Sequence, residues 1–192
     1  MRNICVFGSS SEKIDRRYLD SAESLGGAIA RRGMGVVFGG GKYGVMGAVA
    51  RGAASERGAL IGVSPSFFIE LDVLVDKAEI ENYEEIFTET MRERKGVMED
   101  RADAFVICAG GIGTFEEFFE VLTLKQLGQH NKPIIIYNVA GYYDPMIDLM
   151  NSGISERFLS DDVHMLYTVA ETEEEVFDQL ENYTPYQYNK YD

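Results

Sequence analysis

The stretch Ala104-Phe105-Val106-Ile107-Cys108-Ala109-Gly110-Gly111-Ile112-Gly113-Thr114-Phe115-Glu116-Glu117 decides the fold. Its first five residues are apolar without alternation, the pattern of a strand buried on both faces in a parallel sheet. A glycine-rich loop follows, and Thr114 then opens a helix predicted to reach Gly128. The same strand–loop–helix step recurs upstream. Strand Asn3–Phe7 leads into a helix from Asp15 to Arg32, with Gly33 and Gly35 as its stop signals. Strand Val36–Phe38, a small-residue helix over Gly44–Glu56 and strand Ala59–Val63 come next, halting at Pro65. From Pro65 to Tyr83 the pattern is irregular, with room for a short edge strand, and a long helix is predicted from Glu84 to Arg101. Downstream lie strand Pro133–Tyr137, helix Asp144–Asn151, strand Val163–Tyr167 and helix Thr172–Asn182. This alternation predicts one doubly wound, Rossmann-like α/β domain over residues 1–182, a parallel sheet with helices on both faces. A tyrosine-rich tail, 183–192, would follow it.

Length and composition agree with that reading. A chain of 192 residues fits one ordinary domain. With 45% hydrophobic and 26% charged residues, it is not a disordered chain. Lys plus Arg number 18 against 32 Asp plus Glu, for a net charge of −14. So acidic a surface repels polyphosphate backbones, which argues against a nucleic-acid partner but not against one small phosphate held locally. The apolar run Ile4–Phe7 is too short for a signal-peptide core. No run approaches the ~20 residues of a membrane span. The expectation is a cytoplasmic protein with no membrane partner. Cys5 and Cys108, each inside a strand-like run, read as buried free thiols. His130 and His164 have no neighbouring His or Cys, so no metal site is expected.

Glycine is in excess, 20 of 192 residues against a usual ~7%, and it is clustered. Gly8-Ser9-Ser10-Ser11, Gly39-Gly40-Gly41-Lys42-Tyr43-Gly44 and Ala109–Thr114 each follow a strand and precede a helix. Backbone N–H groups can approach a ligand closely there, and a helix N-terminus favours an anion, so the three loops together point to a bound phosphate. Gly39-x-Gly41-x-x-Gly44 matches the dinucleotide fingerprint in form. A NAD site also wants an acidic residue at the end of the next strand, and Gly62-Val63-Ser64-Pro65 supplies none. No GxxxxGK[ST] loop is present.

Two residues resist an ordinary assignment. Thr114-x-x-Glu117 reads as a capping box, with Glu117 reaching back to the helix start; the other reading makes Glu117 a working carboxylate. Arg94 falls on a predicted apolar helix face with Phe87, Thr90, Met91, Val97, Met98 and Arg101, and no acid stands three or four residues away. It either snorkels along the core edge or aims into a pocket. Lys95 has Glu99 four residues on, a default surface pair. Glu116 and Glu120 read as ordinary helix acids.

Taken together, Met91-Arg92-Glu93-Arg94-Lys95 and Gly110-Gly111-Ile112-Gly113-Thr114-Phe115-Glu116-Glu117 resemble the paired motifs M-H-x-R-K and P-G-G-x-G-T-x-x-E of the LOG family. That family, often labelled lysine decarboxylase-like, comprises cytokinin riboside 5′-monophosphate phosphoribohydrolases. The resemblance extends from Val6 through Gly39-Gly40-Gly41 and Gly44-Val45-Met46-Gly47 to Gln126-Leu127-Gly128, Lys132-Pro133 and Gly141-Tyr142-Tyr143-Asp144. Ala109 and Arg92 depart from the motifs' proline and histidine. The resemblance implies hydrolysis of the N-glycosidic bond of adenosine, N6-modified adenosine or related nucleoside 5′-monophosphates, with Arg94 and Glu117 as the catalytic pair. It further implies a 5′-phosphate held by Gly110, Gly111, Ile112, Gly113 and Thr114. Lys95, Glu116, Thr123, Gly40, Gly41, Ser9 and Asp72 complete the implied binding set. It implies no cofactor and a homodimer. The alternatives are a non-catalytic nucleotide-binding or cofactor-carrier protein of the same fold, and a literal lysine decarboxylase, which would need pyridoxal phosphate on a Schiff-base lysine.

Overall fold

Strand β1 (Asn3–Phe7) lies at the middle of a seven-stranded sheet, and the computed structural model describes residues 2–186 around it. The chain builds outward from β1 through β2 (Gly35–Phe38), β3 (Leu60–Pro65) and β4 (Tyr83–Thr88). It then returns to the other side of β1 with β5 (Ala104–Ile107), β6 (Ile134–Tyr137) and β7 (Thr168–Ala170). The spatial order is β4-β3-β2-β1-β5-β6-β7, and every neighbouring pair is parallel. The expected doubly wound α/β architecture is therefore present. The winding reverses between β1 and β5, and in such sheets the crevice beyond the strand ends at that reversal receives ligands.

Period-two strands feed two cores. Ile4, Val6, Val36 and Phe38 face one side, covered by α1 (Arg16–Arg31), α2 (Gly44–Ser55) and α6 (Glu173–Glu181). Cys5, Phe7, Val37 and Phe105 face the other, covered by α3 (Met91–Arg101), α4 (Ile112–Gln126) and α5 (Asp144–Ser155). Both cysteines are buried free thiols. Among the described residues no helix is long and apolar enough to cross a membrane.

Three expectations need correction. Glu84–Thr88, read as the first turn of a long helix, is strand β4, held by six register pairs to β3 from Tyr83 to Thr88. An edge strand tolerates the charges of Glu84 and Glu85, and Phe87 is exposed on it rather than on a helix face. The helix begins at Met91 because Thr90 caps it: Thr90 Oγ1 accepts from Glu93 N–H at 3.2 Å, and Glu93 Oε2 accepts from Glu89 N–H at 2.9 Å. The apolar run Val163–Tyr167 is not a strand. Val163–Met165 forms a 3₁₀ turn that buries Val163 and Leu166 at a spacing of one turn, and the strand is the next three residues. Third, α4 starts at Ile112 with Gly111 as its cap position, so Thr114 and Glu117 stand inside the helix and make no capping box. The predicted tail falls partly outside the described residues; within them, Tyr183 Oη donates to Asn131 O at 3.1 Å and Tyr186 Oη to Asp162 Oδ2 at 2.7 Å.

Candidate functional site

The crevice at the β1/β5 reversal holds a cleft of about 520 Å³, within the ~300–1,000 Å³ common for small-molecule sites. Its floor comes from α3 and α4. Arg94, 5% exposed, projects from the second turn of α3 beneath the end of β3. Its Nε donates to Val63 O at 3.0 Å, and its Nη1 donates to Glu117 Oε1 at 3.1 Å. The missing local partner of Arg94 is thus a carboxylate on the next helix. Gly39 makes room for the guanidinium: a Cβ there would come within 2.0 Å of Arg94 Nη2.

Glu117 is nearly as deeply placed, with 11% of its side chain exposed. Burial pushes its carboxyl above the ordinary 4.5, and Arg94 opposes the rise. A carboxylate held charged mainly by one buried cation is a costly arrangement that adds little stability. Such perturbed groups in a cleft are candidates for chemistry.

The rim is backbone. Helix α4 begins with no side-chain cap, so the N–H groups of Ile112, Gly113 and Thr114 lack intrahelical acceptors and the helix dipole adds to their pull on an anion. Gly110 lies against Thr114: a Cβ at position 110 would meet Thr114 Oγ1 at 2.1 Å. Ser9 joins the three glycine loops, its N–H donating to Ala109 O at 3.1 Å and its carbonyl accepting from Met46 N–H at 3.3 Å.

The roof was not foreseen. Residues 66–74, read as irregular, carry Phe68, Leu71, Val73 and Leu74 onto the cleft, where Met46 and Met91 meet them. The segment is zipped to the second glycine loop by main-chain bonds: Lys42 N–H to Val73 O and Val75 N–H to Gly40 O, each 2.9 Å, with a bridge between Gly41 and Leu74. Pro65 and the scattered aromatics gave no periodicity from which this could be read.

Of the residues expected at the site, Arg94, Glu117, Gly111, Ile112, Gly113, Thr114, Gly41 and Ser9 converge on this cleft. Gly40 and Gly110 lie behind its wall. Asp72 points to solvent and pairs with Lys42 at 2.8 Å rather than entering the cleft. Thr123 is exposed farther along α4. Lys95 and Glu116 line a separate shallow surface. Lys95 does not pair with Glu99; its ammonium is held between Glu116 and Glu120 of α4, which raise its pKa although burial opposes them.

That arrangement leaves Glu99 half-buried and facing Glu120. Burial first, and then the charge of Glu120, push its carboxyl up to about 7. A carboxyl raised in the folded state contributes most below its ordinary pKa, and that contribution is lost as pH climbs through 4.5 to about 7. Glu99→Gln is therefore expected to raise the melting temperature at pH 8 by about 2–4 °C, for about 1 kcal/mol after solvent screening. At pH 4.5 the gain should vanish in the same thermal melts.

Among the described residues no group of three or more His, Cys, Asp or Glu could hold a metal ion. Nor does any lysine line the cleft among them. A pyridoxal phosphate, which would need a Schiff-base lysine there, does not fit these residues.

Fold and cleft together define a doubly wound α/β protein whose switch-point crevice pairs a buried arginine and carboxylate with an uncapped helix N-terminus. The family model described as "possible lysine decarboxylase" matches residues 46–180. The rice (Oryza sativa subsp. japonica) cytokinin riboside 5′-monophosphate phosphoribohydrolase LOG is 36% identical over 184 residues, 96% of this chain and 74% of that protein. The Arabidopsis thaliana enzyme LOG3 is 34% identical, over 96% of this chain and 84% of its own. The chain belongs to this family, the LOG family. Among solved structures it is similar in fold to the molybdenum cofactor carrier protein of Chlamydomonas reinhardtii, with a TM-score of 0.69 at 22% identity, covering 94% of this chain and 96% of that one.

Proposed function

We propose that this protein hydrolyses the N-glycosidic bond of a nucleoside 5′-monophosphate, releasing adenine or an N6-modified adenine and ribose 5-phosphate. The observation that carries the reading is the Arg94–Glu117 pair, buried beside an uncapped helix start in one cleft. The 5′-phosphate sits on the N–H groups of Gly111 to Thr114, which brings the anomeric carbon toward Glu117. As the C–N bond lengthens, positive charge grows on the ribose ring, and a carboxylate beside it lowers the barrier. Glu117 then takes a proton from the water that attacks the anomeric carbon; the departing base is protonated from solvent and Glu117 returns its proton there, so the water's OH ends on the ribose and a proton on the base. Arg94, always charged, donates no proton; it holds the carboxylate ionised and aimed. The apolar roof accommodates the base. The same proposal includes a homodimer in a cytoplasmic setting, with exposed Ile112 and Met91 beside the cleft mouth as apolar surface for a second copy.

Chromatography of incubations with several nucleoside monophosphates tests the reading. Free base in step with ribose 5-phosphate is expected. No base from any of them overturns it. Saturable binding without product, seen as a thermal shift, would favour a carrier of the same fold.

A further inference from the structure

Two neighbouring tyrosines at the start of α5 touch the ligand cradle from behind, and neither lines the cleft. Tyr143 Oη donates to Cys108 O at 2.8 Å, and Tyr142 Oη donates to Gly110 O at 2.5 Å. The carbonyl between them, on Ala109, accepts from Ser9 N–H at 3.1 Å. Three consecutive carbonyls of the loop into α4 are thus tied down. The tyrosines are themselves fixed. Tyr143 is 1% exposed and meets Phe115 edge-on at 6.2 Å. Its N–H donates to Asn138 Oδ1 at 2.7 Å, while Asn138 Nδ2 donates to Asp144 Oδ1 at 2.7 Å. Tyr142 packs edge-on against Tyr18 at 5.6 Å and Tyr143 at 4.9 Å.

Peptide geometry gives these bonds a consequence. In a trans peptide the C=O and the following N–H point in opposite directions, and the chain has no cis bonds among the described residues. A Gly110 carbonyl turned toward Tyr142 therefore turns the Gly111 N–H the other way. Gly111 has nothing within 4 Å of its Cβ position, so no side-chain packing holds it in that orientation.

We propose that Tyr142 and Tyr143 are positioning residues for substrate phosphate: their hydroxyls pin the Cys108 and Gly110 carbonyls and so hold the loop's N–H groups toward the 5′-phosphate. The inference rests on the phosphate placement given above. Tyr142→Phe is the cleaner variant, since it removes one oxygen from a partly exposed ring. KM for the monophosphate is expected to rise about fivefold, the size of one neutral hydrogen bond, with kcat within about twofold. The kinetics of the same nucleoside without its phosphate should not move. Inorganic phosphate as a competitive inhibitor should weaken by the same factor. A purely structural role would lower the melting temperature and shift monophosphate and nucleoside alike, and that result overturns the proposal. If the wild-type protein releases no base, calorimetric titration with inorganic phosphate decides alone. Weaker binding to Tyr142→Phe supports the clamp although hydrolysis has failed. Equal binding, or no phosphate binding by the wild type, overturns it.

Discussion

Glu117→Gln is expected to reduce base release by about 10²–10⁴-fold, the range for removing a positioned acid–base group, while the protein stays folded. The amide matches the carboxylate in shape and can still accept from Arg94 Nη1, so the floor of the cleft keeps its packing. It cannot carry the negative charge that faces a developing oxocarbenium ion, nor take a proton from water. KM should change little, because the proposed phosphate cradle is main chain and lies a turn away. In the wild type the rate should fall as pH drops through the Glu117 carboxyl, whose value burial lifts above 4.5. The acid limb is therefore expected above that of a solvated carboxylate, and the residual rate of the variant should lack it. Steady-state chromatography between pH 4 and 8 reads both effects. Unchanged turnover would leave Glu117 as a structural carboxylate.

Arg94→Met should cost the most stability. Removing one partner of a buried ion pair leaves the other uncompensated, typically a loss of about 3–5 kcal/mol. Arg94 also donates to Val63 O, so a carbonyl at the end of β3 loses its partner too. Without the guanidinium to oppose it, burial raises the Glu117 carboxyl further. The folded state then holds a proton that the unfolded state releases above 4.5. The loss should be greatest at pH 8 and shrink toward pH 4.5 as both states become protonated. Adding Glu117→Gln to Arg94→Met should recover much of it at pH 8. Urea denaturation at the two pH values distinguishes this from simple loss of packing, which would give the same deficit at both.

The centre of the sheet was legible because β1, β2 and β5 are short, apolar and lead into glycine loops; β1 falls at its predicted bounds, and β5 and β6 within a residue. The errors come from signals that compete. Thr-x-x-Glu occurs at Thr90, Thr114, Thr168 and Thr172, and of these only Thr90 and Thr172 cap helices. At Thr114 the glycines let the helix start two residues earlier, which carries Glu117 inward to Arg94. Reading Thr90 as a cap would have separated β4 from α3 and placed Phe87 in the sheet. That Arg94 lacked a local acid was visible in the sequence; that Glu117 answers it depends on how α3 and α4 pack. Lys95 shows the limit of helical spacing: Glu99 was near along the chain, but Glu116 and Glu120 are nearer across the helix gap. The apolar roof had no periodicity to read, since its place is set by main-chain bonds to the second glycine loop.

That main-chain zip has an evolutionary consequence. The bonds from Lys42 N–H to Val73 O and from Val75 N–H to Gly40 O engage peptide groups, so the anchoring is indifferent to which side chains the roof presents. Exchanging Val73 or Leu74 for larger or smaller apolar residues alters the shape offered to a ligand without disturbing Arg94 or Glu117, which stand on other helices. The Arg94–Glu117 pair and the apolar roof can therefore diverge at separate rates, one held by strict geometry and the other free to drift in shape.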